Sequence, residues 1–181
     1  MKQMLSSSFG YYLLFILLTG IVMRPLTVEA QILPDDPFLS QQWGWFRIAA
    51  DKAWEAGCKG SGVVVAVLDT GVDLDHPDLA DNIVEGWNFV DNNGDVWDLD
   101  NHGTMVSGII AAIADNSKGV VGVASEARIM PLKVLDTDGG SLRDIASAIR
   151  YAADNGSKVI TMSFGGQYSR LSISAESFLH A

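Results

Sequence analysis

The sequence predicts an α/β fold: a doubly wound, mainly parallel sheet with helices on both faces. Two observations carry that prediction. Short apolar runs at 63–68, 128–135 and 158–163 alternate with segments of helical periodicity at 103–114 and 141–155, and strands separated by helices of this length pair in parallel. The run at 63–68 (VVVAVL) is also continuously apolar rather than alternating, which suits a strand covered on both sides.

The elements follow in chain order. Residues 1–30 read as a secretory signal peptide: Lys2 lies near the start, an apolar run of 13 residues spans 11–23, and Val28 and Ala30 take the small-residue positions of a cleavage site. The alternative is an uncleaved anchor, for which the run is short against the roughly 20 residues of a membrane span. Residues 31–181 form one domain. Its first segment, 31–45 (QILPDDPFLSQQWGW), reads as an extended arm, and 47–56 (RIAADKAWEA) as a short surface helix stopped by Gly57.

After the strand at 63–68, the helix at 103–114 places Val106, Ile109, Ile110 and Ile113 at i, i+3, i+4 and i+7. Ala111 and Ala112 fill in beside them, so it is expected to be buried nearly all round. In 128–135 (RIMPLKVL), Pro131 predicts an irregularity or a strand start. Ser141 with Asp144 three residues on caps the next helix, whose face of Leu142, Ile145, Ala146, Ile149, Ala152 and Ala153 runs to Asn155-Gly156. The last strand is 158–163 (KVITMS).

Twelve basic and 22 acidic side chains give a net charge of −10. There is no basic stripe to neutralise phosphates, so nucleic acid is not an expected partner. The excess is concentrated: 69–100 holds ten carboxylates and no Lys or Arg. The single cysteine, Cys58, forbids an internal disulfide, so a secreted, extracellular chain of this kind is held by its core, by metal ions, or by both.

Ligands in open α/β sheets bind outside the carboxyl ends of the strands, where Asp69-Thr70-Gly71 and Ser163-Phe164-Gly165-Gly166 both fall. An Asp directly after a buried strand needs partners for its charge; a helix cap, a turn or a catalytic role each supplies them. His102 stands just before the helix that opens at Gly103, where the positive end of the helix dipole favours a neutral imidazole, the form a general base requires. A structural histidine is the other reading. Asp91, Asn93 and Asp95 around Gly94, with Asn88 and Asp98 nearby, offer hard oxygens at alternate positions, suited to calcium or to a solvated acidic loop. Zinc is disfavoured, because His76, His102 and His180 are scattered and Cys58 is isolated.

The passages VVVAVLDTGVDLDHPDL, NHGTMVSGIIAA and VITMSFGG, in this order, resemble the motif set of the subtilisin-like serine peptidases. PDDPF, GWNFVDNN and IRYAADNGSKVITMS are similar to the thermitase type within that family. The resemblance implies that Asp69 orients His102 and stabilises its imidazolium, and that His102 is general base toward a serine, in the chain order Asp, His, Ser. It implies that Ser163, Phe164 and Gly165 bind a polypeptide substrate as an added strand, with Gly139 and Gly140 near the opposite wall of the cleft. Ser163 is then a substrate-binding residue and not the nucleophile. It also implies calcium as a cofactor, with Asp36, Asp78 and Asn116 contributing side chains and Ala114, Lys118 and Val120 carbonyls. After signal cleavage no membrane association is expected.

Two departures qualify this. No AAGN-like segment for an oxyanion-hole Asn and no GTSxA-like segment for the nucleophile follow Gly166, and no propeptide fits between Ala30 and PDDPF. The resemblance is thus to the amino-terminal portion of a peptidase domain, truncated before its C-terminal part. In subtilisin, loss of the nucleophile costs on the order of 10⁶ in kcat, so this polypeptide alone is expected to be inactive. The alternative is a non-catalytic secreted protein that binds calcium and peptide. Met105 and Ser107 replace a common His or Arg and a common Ala, at positions without a catalytic role.

Overall fold

The computed structural model describes residues 33–165 other than Asp138. The expected signal peptide at 1–30, and Gly166 and His180, lie outside the described residues. Helices α1 (Trp43–Arg47) and α2 (Ala50–Glu55) precede strand β1 (Val64–Asp69). There follow β2 (Trp87–Asn88), α3 (His102–Ala111), β3 (Arg128–Lys133), α4 (Leu142–Asp154) and β4 (Val159–Met162).

The sheet order is β2-β3-β1-β4 and every pairing is parallel. β1 is therefore central, paired from Val64↔Arg128 to Asp69↔Lys133 on one side and from Val65↔Val159 to Leu68↔Met162 on the other. The pleat divides its residues between two cores. Ala66 and Leu68 join Met130, Leu132 and the α4 residues Ala148 and Ala152, while Val65 and Val67 join Ile129, Ala127 and the α3 residues Val106, Ile110 and Ala111. Helices thus cover both faces, which is why the sequence of β1 is continuously apolar: the fold is the doubly wound α/β arrangement.

Four local expectations need correction. Residues 31–45 are not an extended arm over their described part. Leu39–Gln41 is a 3-10 turn and α1 follows, with Leu39 and Trp45 only 5% and 3% exposed against Ala50 and Val121. The side chain of Gln42 clamps the Val121 backbone, Nε2 donating to its carbonyl at 2.9 Å and Oε1 accepting from its N–H at 2.8 Å. Burial of the tryptophan and this clamp together overcome the turn-prone sequence. The helix expected at 47–56 is interrupted, since Ala49 adopts φ 56° between α1 and α2.

α3 is not buried all round either: Met105 and Ile109 are 61% and 63% exposed. It packs through its small residues, Gly103, Ser107, Gly108 and Ala111. The close approach this permits outweighs burial of the bulkier isoleucine. Pro131 lies inside β3 rather than at its start. Val84 and Phe89 N–H groups reach the Ile129 and Lys133 carbonyls, so the odd residues of β3 face the β2 side, where β2 is two residues long and the missing N–H breaks no long ladder. The predicted cap of α4 is present, with Asp144 N–H donating to Ser141 Oγ at 3.1 Å.

Candidate active site and cation-binding loop

Asp69 ends β1, and its carboxylate is fully buried at the carboxyl edge of the sheet. Oδ1 accepts from the Thr70 N–H at 2.8 Å and lies 2.7 Å from His102 Nδ1. Oδ2 has no partner among the described residues. His102 is the first residue of α3, and 42% of its side chain remains open to solvent. A one-sided imidazole results, with Nδ1 held inward by a carboxylate and the rest of the ring accessible.

The electrostatics differ from the helix-dipole expectation. The hydrogen bond to Asp69 and that residue's charge lift the His102 pKa above its usual value, against a small opposing desolvation, with Asp100 and Asp98 adding to the rise. An adjacent buried full charge outweighs the half-charge of a helix end. A proton that reaches this ring is therefore stabilised there.

Asp98, grouped on sequence with the calcium oxygens, points elsewhere. Its Oδ1 accepts from Thr70 Oγ1 (2.9 Å) and from the Asp100 and Asn101 N–H groups, and its Oδ2 from the Thr104 N–H (2.9 Å) and Thr104 Oγ1 (2.6 Å). Burial alone would raise its pKa, but these hydrogen bonds, those from Thr104 first, leave it below the usual value. Lys133, also buried, donates from Nζ to the Trp97 carbonyl at 2.9 Å. Sequence reasoning missed both roles. For Asp98 the available signal was an acidic residue just ahead of a helix start, which competed with the calcium pattern.

The expected substrate-binding residues occupy the same edge. Gly139 and Gly140 follow β3, and Ser163, Phe164 and Gly165 follow β4, so the two loops issue from the strands that flank β1. Gly139 has φ 98° and closes a bridge to Asp136. A Cβ on Gly140 would lie 2.3 Å from the Val134 carbonyl oxygen.

The expected metal residues separate into two loops. In the first, Asp78 organises 116–120: Oδ1 accepts from the Asn116 amide at 2.7 Å and Oδ2 from the Val120 N–H at 2.9 Å, while the Lys118 N–H donates to Asn116 Oδ1. Asp36 joins it from the N-terminal segment, Oδ2 accepting from the Asp115 N–H at 2.9 Å. Ala114 is half-buried beside the Leu39–Trp45 cluster. Carboxylate oxygens of Asp35, Asp36 and Asp115 lie within 4.8 Å of one another. Asp36 is buried, its Oδ1 has no hydrogen-bond partner among the described residues, and burial pushes its pKa up. An orphaned carboxylate oxygen beside two more carboxylates fits a hard cation.

The second loop is braced internally. Asn88 is buried; its amide donates to Asp91 Oδ2 (3.0 Å) and the Asp95 carbonyl (2.7 Å), and its Oδ1 accepts from the Asp91 N–H. Asn93 Oδ1 accepts from the Asp95 N–H. No buried orphaned oxygen marks this loop among the described residues.

Comparison with known proteins agrees with this geometry. A family model described as the subtilase family matches residues 60–178. The chain is 47% identical over 135 residues to thermitase of Thermoactinomyces vulgaris, covering 74% of this chain and 48% of that protein. To a thermophilic serine proteinase of a Bacillus species it is 46% identical over 134 residues, covering 73% and 33%. Among solved structures, a protease of Pseudoalteromonas arctica superposes with a TM-score of 0.69 at 32% identity, covering 82% of this chain and 56% of that one. The chain spans about half or less of the curated relatives it matches. A parallel sheet of this order, an Asp–His pair at its carboxyl edge and a family match that spans well over half of the residues have one reading: the chain belongs to the subtilase family.

Proposed function

We propose that this chain carries the acid–base half of a secreted, subtilisin-type serine endopeptidase site, acting on polypeptides. The observation that supports it is the 2.7 Å contact between buried Asp69 and solvent-accessible His102. Asp69 accepts the Nδ1 proton, which fixes the tautomer and leaves Nε2 free to take a proton from a serine hydroxyl. The imidazolium so formed is stabilised by the same carboxylate. Ser163, Phe164 and Gly165 on one side and Gly139 and Gly140 on the other present backbone to an extended peptide. No GTSxA-like or AAGN-like segment occurs in these 181 residues, so the nucleophile and the oxyanion donor of the proposed site are not among them. The apolar leader at 11–23 supports secretion, and among the described residues no helix is long and apolar enough to cross a membrane.

Asp36, Asp78 and Asn116, with the backbone of Ala114, Lys118 and Val120, are the calcium-binding set of this proposal, and the orphaned Asp36 oxygen supports it. Calcium there would neutralise the clustered carboxylates and tie the N-terminal segment to the 114–120 loop. The 88–95 loop of Asn88, Asp91, Asn93 and Asp95 is a weaker cation site, because among the described residues it has no buried oxygen without a partner, as Asp36 has.

Labelling of the purified chain with a serine-directed fluorophosphonate tests the division of labour. No labelling is expected, whereas stoichiometric labelling would show that a nucleophile is present and overturn it.

A further inference from the structure

We propose that Asp98 is a positioning residue for the Asp69–His102 pair, holding the start of α3 in register with the end of β1; this rests on the reading that the pair is the working acid–base couple. Asp69 and Thr70 are neighbours in the chain, as are His102 and Gly103. The Asp69–His102 contact therefore runs alongside a second bond, from the Gly103 N–H to Thr70 Oγ1 at 3.0 Å. A hydroxyl has one proton to donate. Thr70 gives its proton to Asp98 Oδ1, which leaves only lone pairs facing Gly103. By taking the hydroxyl proton, Asp98 thus keeps Thr70 Oγ1 turned as acceptor toward the Gly103 N–H, in the bond that parallels the catalytic contact.

Its other oxygen acts on the helix itself. Asn101, the residue that would ordinarily cap α3, has φ 78° and makes no side-chain cap bond. Asp98 caps instead, accepting the Thr104 N–H and hydroxyl on Oδ2. Thr104 Oγ1 also accepts from the Asp73 N–H at 3.0 Å. The loop after β1 and the first turn of α3 are consequently tied on both sides of the pair, through Thr70 and through Thr104, with one buried carboxylate between. Further support lies behind Asp98: its N–H donates to the Val72 carbonyl, and Lys133 holds the carbonyl of the preceding Trp97. The charged groups near the imidazole are Asp69, Asp98 and Asp100, so an effect of Asp98 through charge has to be separated from one through position.

NMR of the histidine-labelled chain separates them, reading the His102 Nδ1–H resonance and the His102 pKa. Thr70→Val removes the shared hydroxyl with no change of charge, Asp98→Glu keeps the charge but moves the carboxylate, and Asp98→Asn keeps the shape. Expected for all three is loss of the downfield Nδ1–H signal, and for Thr70→Val a His102 pKa that falls toward the ordinary 6.5 while amide dispersion is retained. If Asp98→Asn does not fold, Thr70→Val and Asp98→Glu decide. Both behaving as the unsubstituted chain would mean that Asp98 acts by charge alone, and the proposal is overturned. The underlying reading fails separately, and takes the proposal with it, if the unsubstituted chain has no downfield signal and Asp69→Asn leaves the His102 titration unchanged.

Discussion

Gly103 packs directly on Gly71: a Cβ at Gly103 would stand 2.2 Å from the Gly71 carbonyl oxygen and 3.1 Å from Asp69 Cβ. The distance between the helix that starts with His102 and the loop that follows Asp69 is therefore set by the absence of one methyl group. Gly71 is equally confined, with φ 116° and the Val96 carbonyl oxygen 2.4 Å from where its own Cβ would be.

Gly103→Ala is accordingly expected to push the first turn of α3 away from β1. Overpacking against backbone costs about 1–3 kcal/mol, and the 2.7 Å contact lengthens. A lowered urea midpoint together with loss of the His102 Nδ1–H resonance is the expected pair of results. An unchanged midpoint would show that the contact relaxes freely.

His102 should titrate above 6.5 in the folded chain, because the Asp69 hydrogen bond and charge favour its protonated form. The sign follows by linkage: with a folded pKa above the unfolded one, its contribution to stability is fully present below about 6.5 and is lost as pH rises through the folded value. Asp69→Asn should bring the titration back toward the ordinary value. Chemical-shift titration of the imidazole checks both, and a midpoint at or below 6.5 in the unsubstituted protein refutes the assignment.

Calcium should raise thermal stability. An ion that binds only the folded state at 100 times its Kd adds about 2.7 kcal/mol, and Asp36→Asn or Asp78→Asn should remove most of that gain. Melting with calcium and with a chelator measures it. An identical Tm in the two conditions would count against the proposed site.

Ser107→Ala should stabilise the fold. The Ser107 hydroxyl is fully buried in α3 and unpartnered among the described residues. Removing an unsatisfied buried hydroxyl recovers about 1 kcal/mol, and alanine is the better helix former. A denaturant midpoint that rises at constant slope is the expected outcome; a fall would mean that the hydroxyl has a partner.

Elements with strong local signals were legible in the sequence. β1 follows from an unbroken β-branched run, and α4 from a capping serine, a helical apolar face and Asn155-Gly156 at its end, since each depends on neighbours within a few residues. The strand-end position of Asp69 and the helix-start position of His102 were legible for the same reason. The N-terminal segment was not, because what folds it is the Gln42 clamp on Val121, 79 residues away.

Asp98 marks the boundary most clearly. By itself the sequence determined that an acidic stretch joins a buried strand to a helix, with oxygen-rich side chains along it. Which of those oxygens stay with the 88–95 loop and which serve the Asp69–His102 pair depends on where the chain turns. The left-handed turn at Asn101 and the close approach of Gly103 to Gly71 direct the Asp98 carboxylate to Thr70 and Thr104 instead of toward the 88–95 loop. Hydrogen-bond partners 28 and 6 residues away are chosen by three-dimensional packing, which only the tertiary structure decides.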